Sequence, residues 1–388
     1  MEKTTGLGKA IADYLLWMTS TGYSQSTVHH YKRILKYFLK YTKTRQIRWD
    51  DVFTFDTLNA FEKKLALANQ SAPVRGLSRY LYQQKKILSP IKKRQERLPD
   101  IYEEYLIYYE KTRKVGQDML RLTQKILSGL NNYLQKENIA FSNLKIEQLD
   151  EFLNTYNTGY AAKTHRRHRA CLRGFLKYLY HARNIIRKDL GSLLVGAPLF
   201  AYANPPRFLR ANEIANLFSS LSFSTPKDLR TNAMVYLAYT LGLRPKEISL
   251  IRLNDICFRK GEIAIAERKN TNPIQLPMPE DTLKAIVAYI IRARPKSEHR
   301  VLFLNLRPPY RPVSHASVSS LITSAVRNTG VCQTGYSLRH TYAQNLLETG
   351  ASIYEIKEML GHDGIQTSRR YIHIHTKLMR KELFDEIL

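Results

Sequence analysis

Apolar residues recur at intervals of three and four through the first half of this chain, and the pattern runs twice. Ile34-Leu35-Lys36-Tyr37 is echoed by Ile126-Leu127-Ser128-Gly129. Phe55-Asp56-Thr57-Leu58-Asn59-Ala60-Phe61 is echoed by Ile146-Glu147-Gln148-Leu149-Asp150-Glu151-Phe152, and Arg79-Tyr80-Leu81-Tyr82 by Lys177-Tyr178-Leu179-Tyr180. That spacing puts apolar side chains on one helical face, which other helices must cover. Each copy therefore reads as a bundle of four or five short amphipathic helices. The basic run Ile91-Lys92-Lys93-Arg94-Gln95-Glu96-Arg97-Leu98-Pro99 separates the copies. A second break falls between Gly191 and Pro206, where Gly196, Pro198, Pro205 and Pro206 interrupt any regular element. The division predicts helical domains over residues 1–95 and 96–195 and a third domain over 200–388.

Charge narrows the partners. The chain has 388 residues with 61 Lys+Arg against 33 Asp+Glu, a formal charge of +28. Residues 1–200 hold 35 of the basic and 17 of the acidic groups, so the excess is spread over folded segments rather than held in a tail. A phosphate backbone is the natural counterpart, and charge alone does not choose between DNA and RNA. Cys171, Cys257 and Cys332 are odd in number and far apart, which implies neither a disulfide framework nor a zinc site. All three read as small buried hydrophobes in a reducing compartment. No apolar signal region opens the chain, and no stretch approaches the roughly 18 apolar residues of a membrane span. The expectation is a cytoplasmic protein that works at the nucleoid.

The last domain carries the chemistry. Met234, Val235, Leu237, Ala238 and Leu241 form one helical face that stops at Gly242, so Arg244 leaves a tight turn. Residues 262–266 alternate, Asn270 to Pro273 read as a turn, and Ile274 and Leu276 resume the alternation, which places Lys269 at a hairpin tip. Ser352 and Glu355 form a capping pair before a helix that ends at Gly361, with His362 just beyond. Leu338-Arg339-His340-Thr341 lies between, and Tyr371 follows His362 by nine positions in the run Arg369-Arg370-Tyr371-Ile372-His373. Two arginines, a histidine and a late tyrosine are the groups that DNA cleavage through a phosphotyrosine requires. A phenolate attacks phosphorus, arginine forks hold the non-bridging oxygens, and a histidine positions or relays a proton.

Taken in this order, the motifs resemble those of the tyrosine recombinases, the phage-type integrases. The resemblance is strong over about residues 200 to 388 and looser in the first half. It implies a mainly α fold with a small β-sheet or hairpin in the catalytic domain, preceded by helical DNA-clamping domains. One clamp domain is usual in that family, so a tandem pair is a departure. Arg244, Arg339, His362 and the nucleophile Tyr371 match the family's motifs. Lys269 fits the hairpin lysine that protonates the departing 5′ oxygen. Tyr336 stands where the family usually has a histidine. A phenol can donate one hydrogen bond to a phosphate but cannot carry positive charge.

The resemblance further implies a site-specific recombinase or integrase of a mobile element, with double-stranded recombination sites as substrate and no cofactor or metal. Work as a homotetramer on two duplexes is expected, and a partner recombinase is an alternative way to complete an impaired site. Leu378, Leu383, Phe384, Ile387 and Leu388 form an apolar face with little chain left to cover it, which fits a helix exchanged between protomers. Phosphate contacts are expected from Lys163, His165, Arg166, Arg167, Arg169 and Arg173 in the second helical copy. Arg75, Arg79, Lys85 and Lys86 are their counterparts in the first. Two other readings compete: a hairpin-forming or DNA-relaxing relative with the same chemistry, and a non-cleaving DNA-binding regulator. The regulator would have lost Arg244, Arg339 or Tyr371, and all three are present.

Overall fold

A computed structural model describes residues 3–65, 71–91, 98–196, 207–266 and 274–361. Packing divides the chain into two compact units, one formed by Met1–Ile91 with Tyr202–Leu388 and the other by Lys92–Ala201. The fold is mainly helical with one small antiparallel sheet, as the periodicity and the resemblance imply.

The first unit opens with five helices: α1 Lys3–Ser20, α2 Gln25–Thr44, α3 Trp49–Val52, α4 Phe55–Leu65 and α5 Ala72–Gln83. Ser24 starts α2, its Oγ accepting from the Thr27 amide at 3.3 Å. Ile34, Leu35, Phe38 and Tyr41 then fall on one face and are buried with Leu58, Phe61, Val74, Leu77 and Leu81 in a separate core.

The second unit is also a helical bundle, with α6 Asp100–Arg113, α7 Gln117–Lys136, α8 Ile146–Tyr156, α9 Ala162–Lys177 and the short α10 Leu190–Leu193. Helices α2 and α7 are both 20 residues long, and α4 and α8 are both 11. Ile126, Leu127, Leu130, Phe152, Leu172 and Phe175 centre its core.

The remainder of the first unit holds α11 Ala211–Ser220, α12 Pro226–Thr240, α13 Pro245–Leu250, β1 Ile256–Cys257, β2 Glu262–Ile265 and β3 Ile274–Pro277. After these come α14 Glu280–Arg292, α15 His315–Arg327, α16 Tyr336–Glu348 and α17 Ile353–Leu360. The strands pair in the order β1-β2-β3, with Ile263 opposite Leu276 and Ile265 opposite Ile274. Lys269 lies between β2 and β3, outside the described residues. Helix α12 is the central element. Thr225 and Asp228 form its capping box and Pro226 begins it. Sequence periodicity gave it one apolar face, but Leu229, Arg230, Asn232, Ala233, Met234, Val235, Leu237 and Ala238 are all buried. Helices α14, α15 and α16 all pack against it, which leaves little of its surface for solvent.

The cysteine expectation needs one correction. Cys171 is buried, but Cys257 and Cys332 are exposed. Cys257 is an outward position of the short edge strand β1, and Cys332 lies in the loop before α16. Among the described residues no helix is long and apolar enough to cross a membrane.

Candidate active site

Arg244 is the residue that caps α13, reached from α12 through a turn that only glycine makes cheaply. Gly242 has φ +58°, and a Cβ there would strike the Tyr342 ring. Pro245 occupies the first helical position and Glu247 the third. Glu247 folds back so that Oε2 accepts from the Arg244 amide and Oε1 from Arg244 Nη1, both at 2.7 Å. Arg244 Nη2 donates to the Gly361 carbonyl at 2.8 Å. Gly361 ends α17 in the left-handed region, φ 58°, and immediately precedes His362 in the chain.

Arg339 approaches the same carboxylate from α16. Its side chain is 5% exposed and that of Glu247 3%, with Arg339 Nη1 3.8 Å from Glu247 Oε2. Arg339 also donates to the carbonyls of Gly242 and Leu360. The two arginines therefore share one buried carboxylate and grip consecutive carbonyls at the end of α17. The cluster keeps a net positive charge, since two guanidiniums stand against one carboxylate. Thr341 fixes α16 from its other side: its Oγ1 accepts from the Leu209 amide at 2.8 Å and donates to the Ser337 carbonyl at 2.9 Å.

Guanidinium has five N–H donors. Among the described residues Arg244 spends one on Glu247 and one on Gly361, and its side chain is 19% exposed. It thus keeps donors and an opening toward a ligand. Tyr336 is the first residue of α16 and is 47% exposed. It borders a cavity of about 550 Å³ with Lys246, His315 and Arg327. His362 and Tyr371 lie outside the described residues.

Glu247 is the residue that sequence reading missed. Its signal was the spacing Arg244-Pro245-x-Glu247, the pattern of a helix start with a carboxylate at the third position. Its bond to Arg339 carries no local signal at all. Among the described residues no group of three or more His, Cys, Asp or Glu is placed to hold a metal ion.

The candidate DNA contacts divide by environment. Lys163, Arg166 and Arg167 are exposed on α9. His165 Nε2 lies 3.1 Å from the Asn157 carbonyl oxygen. Arg173 Nη2 donates to the Leu194 carbonyl at 2.9 Å, and Arg169 packs its guanidinium against Gly196. These two hold the 190–196 segment on α9. In the first bundle Lys86 pairs with Asp13 at 3.6 Å, and exposed Lys85 sits in a left-handed turn, φ 56°. Arg75 and Arg79 border a cavity.

The chain belongs to the phage integrase family. It matches that family over residues 207–377 and the phage integrase N-terminal SAM-like domain over 102–183. The protein y4rF of Sinorhizobium fredii, named as an integrase/recombinase, is 32% identical over 225 residues, 57% of this chain and 51% of that protein. This chain thus spans about half the length of y4rF. Tyrosine recombinase XerD of Listeria monocytogenes is 28% identical over 233 residues, 59% of this chain and 77% of XerD. Among solved structures, XerH site-specific recombinase bound to a palindromic difH substrate shares the fold. The TM-score is 0.59 at 19% identity, over 83% of this chain and 92% of that one. A lambda integrase dimer bound to a core site gives a TM-score of 0.54 at 17% identity, over 69% and 94%.

Proposed function

We propose that this chain is a site-specific DNA recombinase, the integrase of a mobile element, which cuts and rejoins duplexes through a 3′-phosphotyrosyl link at Tyr371. The observation that carries this reading is the Arg244–Glu247–Arg339 cluster. Two guanidiniums held side by side over one carboxylate offer fixed positive charge where a phosphate gains negative charge during attack. Because the protein holds them in place beforehand, little reorganisation is left for the moment of reaction.

In this reading the Tyr371 oxygen bonds to phosphorus as the bond to the 5′ oxygen breaks. Lys269 gives that oxygen its proton, and His362 and Tyr336 donate to the phosphate. The 5′ hydroxyl of a partner strand then attacks the same phosphorus and releases the phenol. One phosphate ester replaces another, so the exchange consumes no ATP. Cationic side chains neutralise the charge that a nuclease would assign to a metal.

Residues 1–95 and 96–195 act as tandem helical DNA-binding domains and 200–388 as the catalytic domain. The exposed Lys163, Arg166 and Arg167 track phosphates. The working assembly is a homotetramer on two cytoplasmic duplexes, with the C-terminal apolar residues exchanged between protomers. A second recombinase as partner is the alternative assembly.

The test uses nicked suicide duplexes cut from DNA flanking the coding sequence. Wild type should form a denaturant-resistant adduct, unaffected by EDTA, and Tyr371→Phe should form none while binding duplex normally. An adduct that persists in Tyr371→Phe, or maps to another tyrosine, overturns the assignment. Duplex binding with no adduct from wild type would favour the non-cleaving regulator.

A further inference from the structure

Helices α1, α2 and α5 meet the 305–313 loop around a cavity of about 500 Å³ to which no step at Tyr371 gives a role. The loop touches the bundle directly: a Cβ at Gly22 would come 3.3 Å from Tyr310 Oη. The walls are of two kinds. Tyr14, Trp17 and Tyr80 supply aromatic faces, with Trp17 5.7 Å from Tyr14 and 5.3 Å from Tyr80 between ring centroids. Arg75, Arg79 and Arg311 supply positive charge. Arg79 and Arg311 lie close enough to favour the ionised form of Tyr14, although burial outweighs them and raises its pKa. Among the described residues none of these three arginines has a carboxylate within salt-bridge distance. Arg75 gives only its Nε–H, to Ser71 Oγ at 3.2 Å.

Unneutralised guanidiniums beside stacked aromatic rings are the two halves of nucleotide recognition. The rings take a base by its π-face and the forks take a phosphate. The volume lies in the range of small-ligand pockets and exceeds what one side chain fills. We propose that this cavity binds one unpaired nucleotide, its base against Trp17 and Tyr80 and its phosphate against Arg79 and Arg311. Such a unit can come from a free deoxynucleotide or from a displaced strand of DNA. The inference stands independently of the chemistry at Tyr371.

The chain has two tryptophans, so Trp49→Phe leaves Trp17 as the sole indole in the full-length protein, excited selectively where tyrosine does not absorb. Titration of this variant with dTMP and with a twelve-nucleotide oligothymidylate reads the cavity directly. The expected result is saturable quenching of Trp17 that weakens at least about tenfold in Arg79→Ala and in Arg311→Ala. Arg79 is exposed and Arg311 half-buried, so both variants should fold, and far-UV circular dichroism checks it. Quenching by dTMP alone assigns a free nucleotide as the ligand, and quenching only by the oligomer assigns an unpaired strand. No quenching by either probe at millimolar concentration overturns the proposal. Quenching that both arginine variants leave unchanged does so too, because the probe would then be acting elsewhere. The covalent adduct at Tyr371 is scored separately and does not depend on the outcome.

Discussion

Tyr14 in the first bundle and Tyr105 in the second do the same structural work in different surroundings. Each projects its hydroxyl onto a glycine of the bundle's last long helix, Tyr14 onto Gly76 of α5 and Tyr105 onto Gly174 of α9. Burial raises the pKa of both phenols. Tyr105 is enclosed by rings, with Tyr109, Phe175 and Tyr178 at centroid distances of 5.6, 5.2 and 5.3 Å. Tyr14 has Trp17, Tyr31 and Tyr80 on its flanks but also walls the arginine-lined cavity. The same packing device thus occurs twice, once in a filled core and once beside an opening. A glycine there lets a tyrosine ring lie close to the helix in both bundles.

The largest effect should come from Gly174→Ala. The new Cβ would lie 2.6 Å from Tyr105 Oη, and the ring is packed against Tyr108, Tyr109, Phe175 and Tyr178. Overpacking of this kind costs about 1–3 kcal/mol. Hydrogen exchange of residues 100–180 in the full chain should show the loss of protection. Adding Tyr105→Phe should recover most of it, since the ring Cζ would then be the nearest atom of that side chain at 3.8 Å. Failure of the double variant to recover would mean that the hydroxyl is not what the glycine accommodates.

Gly76→Ala probes the other half of the comparison. The clash with Tyr14 Oη is at least as close, with Tyr31 Cε1 a further 3.5 Å neighbour. Here the ring can shift into the cavity, so the cost should stay below about 1 kcal/mol, under the usual overpacking range. The displaced ring should change Trp17 emission, which can be read in the Trp49→Phe background. A loss equal to that of Gly174→Ala would mean that the two tyrosines are equally confined.

Much of the helical framework was readable in the chain. The three-and-four spacing marks α2 and α7 and their buried residues, and Ser352 with Glu355 marks the start of α17. Arg244 was legible because Gly242 ends a helix and Pro245 begins the next. These are local signals, set by backbone sterics and capping within a few residues. What stayed hidden depends on contacts between distant segments. Glu247 looks like an ordinary helix-start carboxylate until Arg339 arrives from α16. Arg169 and Arg173 look like further members of a basic face, yet the 190–196 segment takes up both. The cavity beside Tyr14 needs the 305–313 loop, which no periodicity in α1 or α5 announces.

A last difference between the bundles lies in their buried polar groups. Described residues of the first bundle bury Thr42, Ser71 and Ser78, none of which gains a proton in mild acid. The second buries His168, with Nδ1 hydrogen-bonded to Asn157 Oδ1 at 2.7 Å and its ring edge-on to Tyr156 and Tyr160. Burial lowers its pKa below the ordinary 6.5, and His165 and Lys125 push the same way. The unfolded chain therefore takes up this proton first as pH falls. The stabilising effect of the neutral ring is present above pH 6.5 and is lost progressively as pH falls toward the lowered value of the folded state. Hydrogen exchange, corrected for intrinsic rates, should show residues 117–177 losing protection between pH 7 and about pH 5, while residues 25–83 lose less. This is the smallest of the three effects, since a single histidine drives it. His168→Gln keeps a polar group facing Asn157 but cannot take the proton. In that variant the second bundle's extra acid sensitivity should disappear, and if it persists, the carboxylates of the unit rather than His168 set the difference.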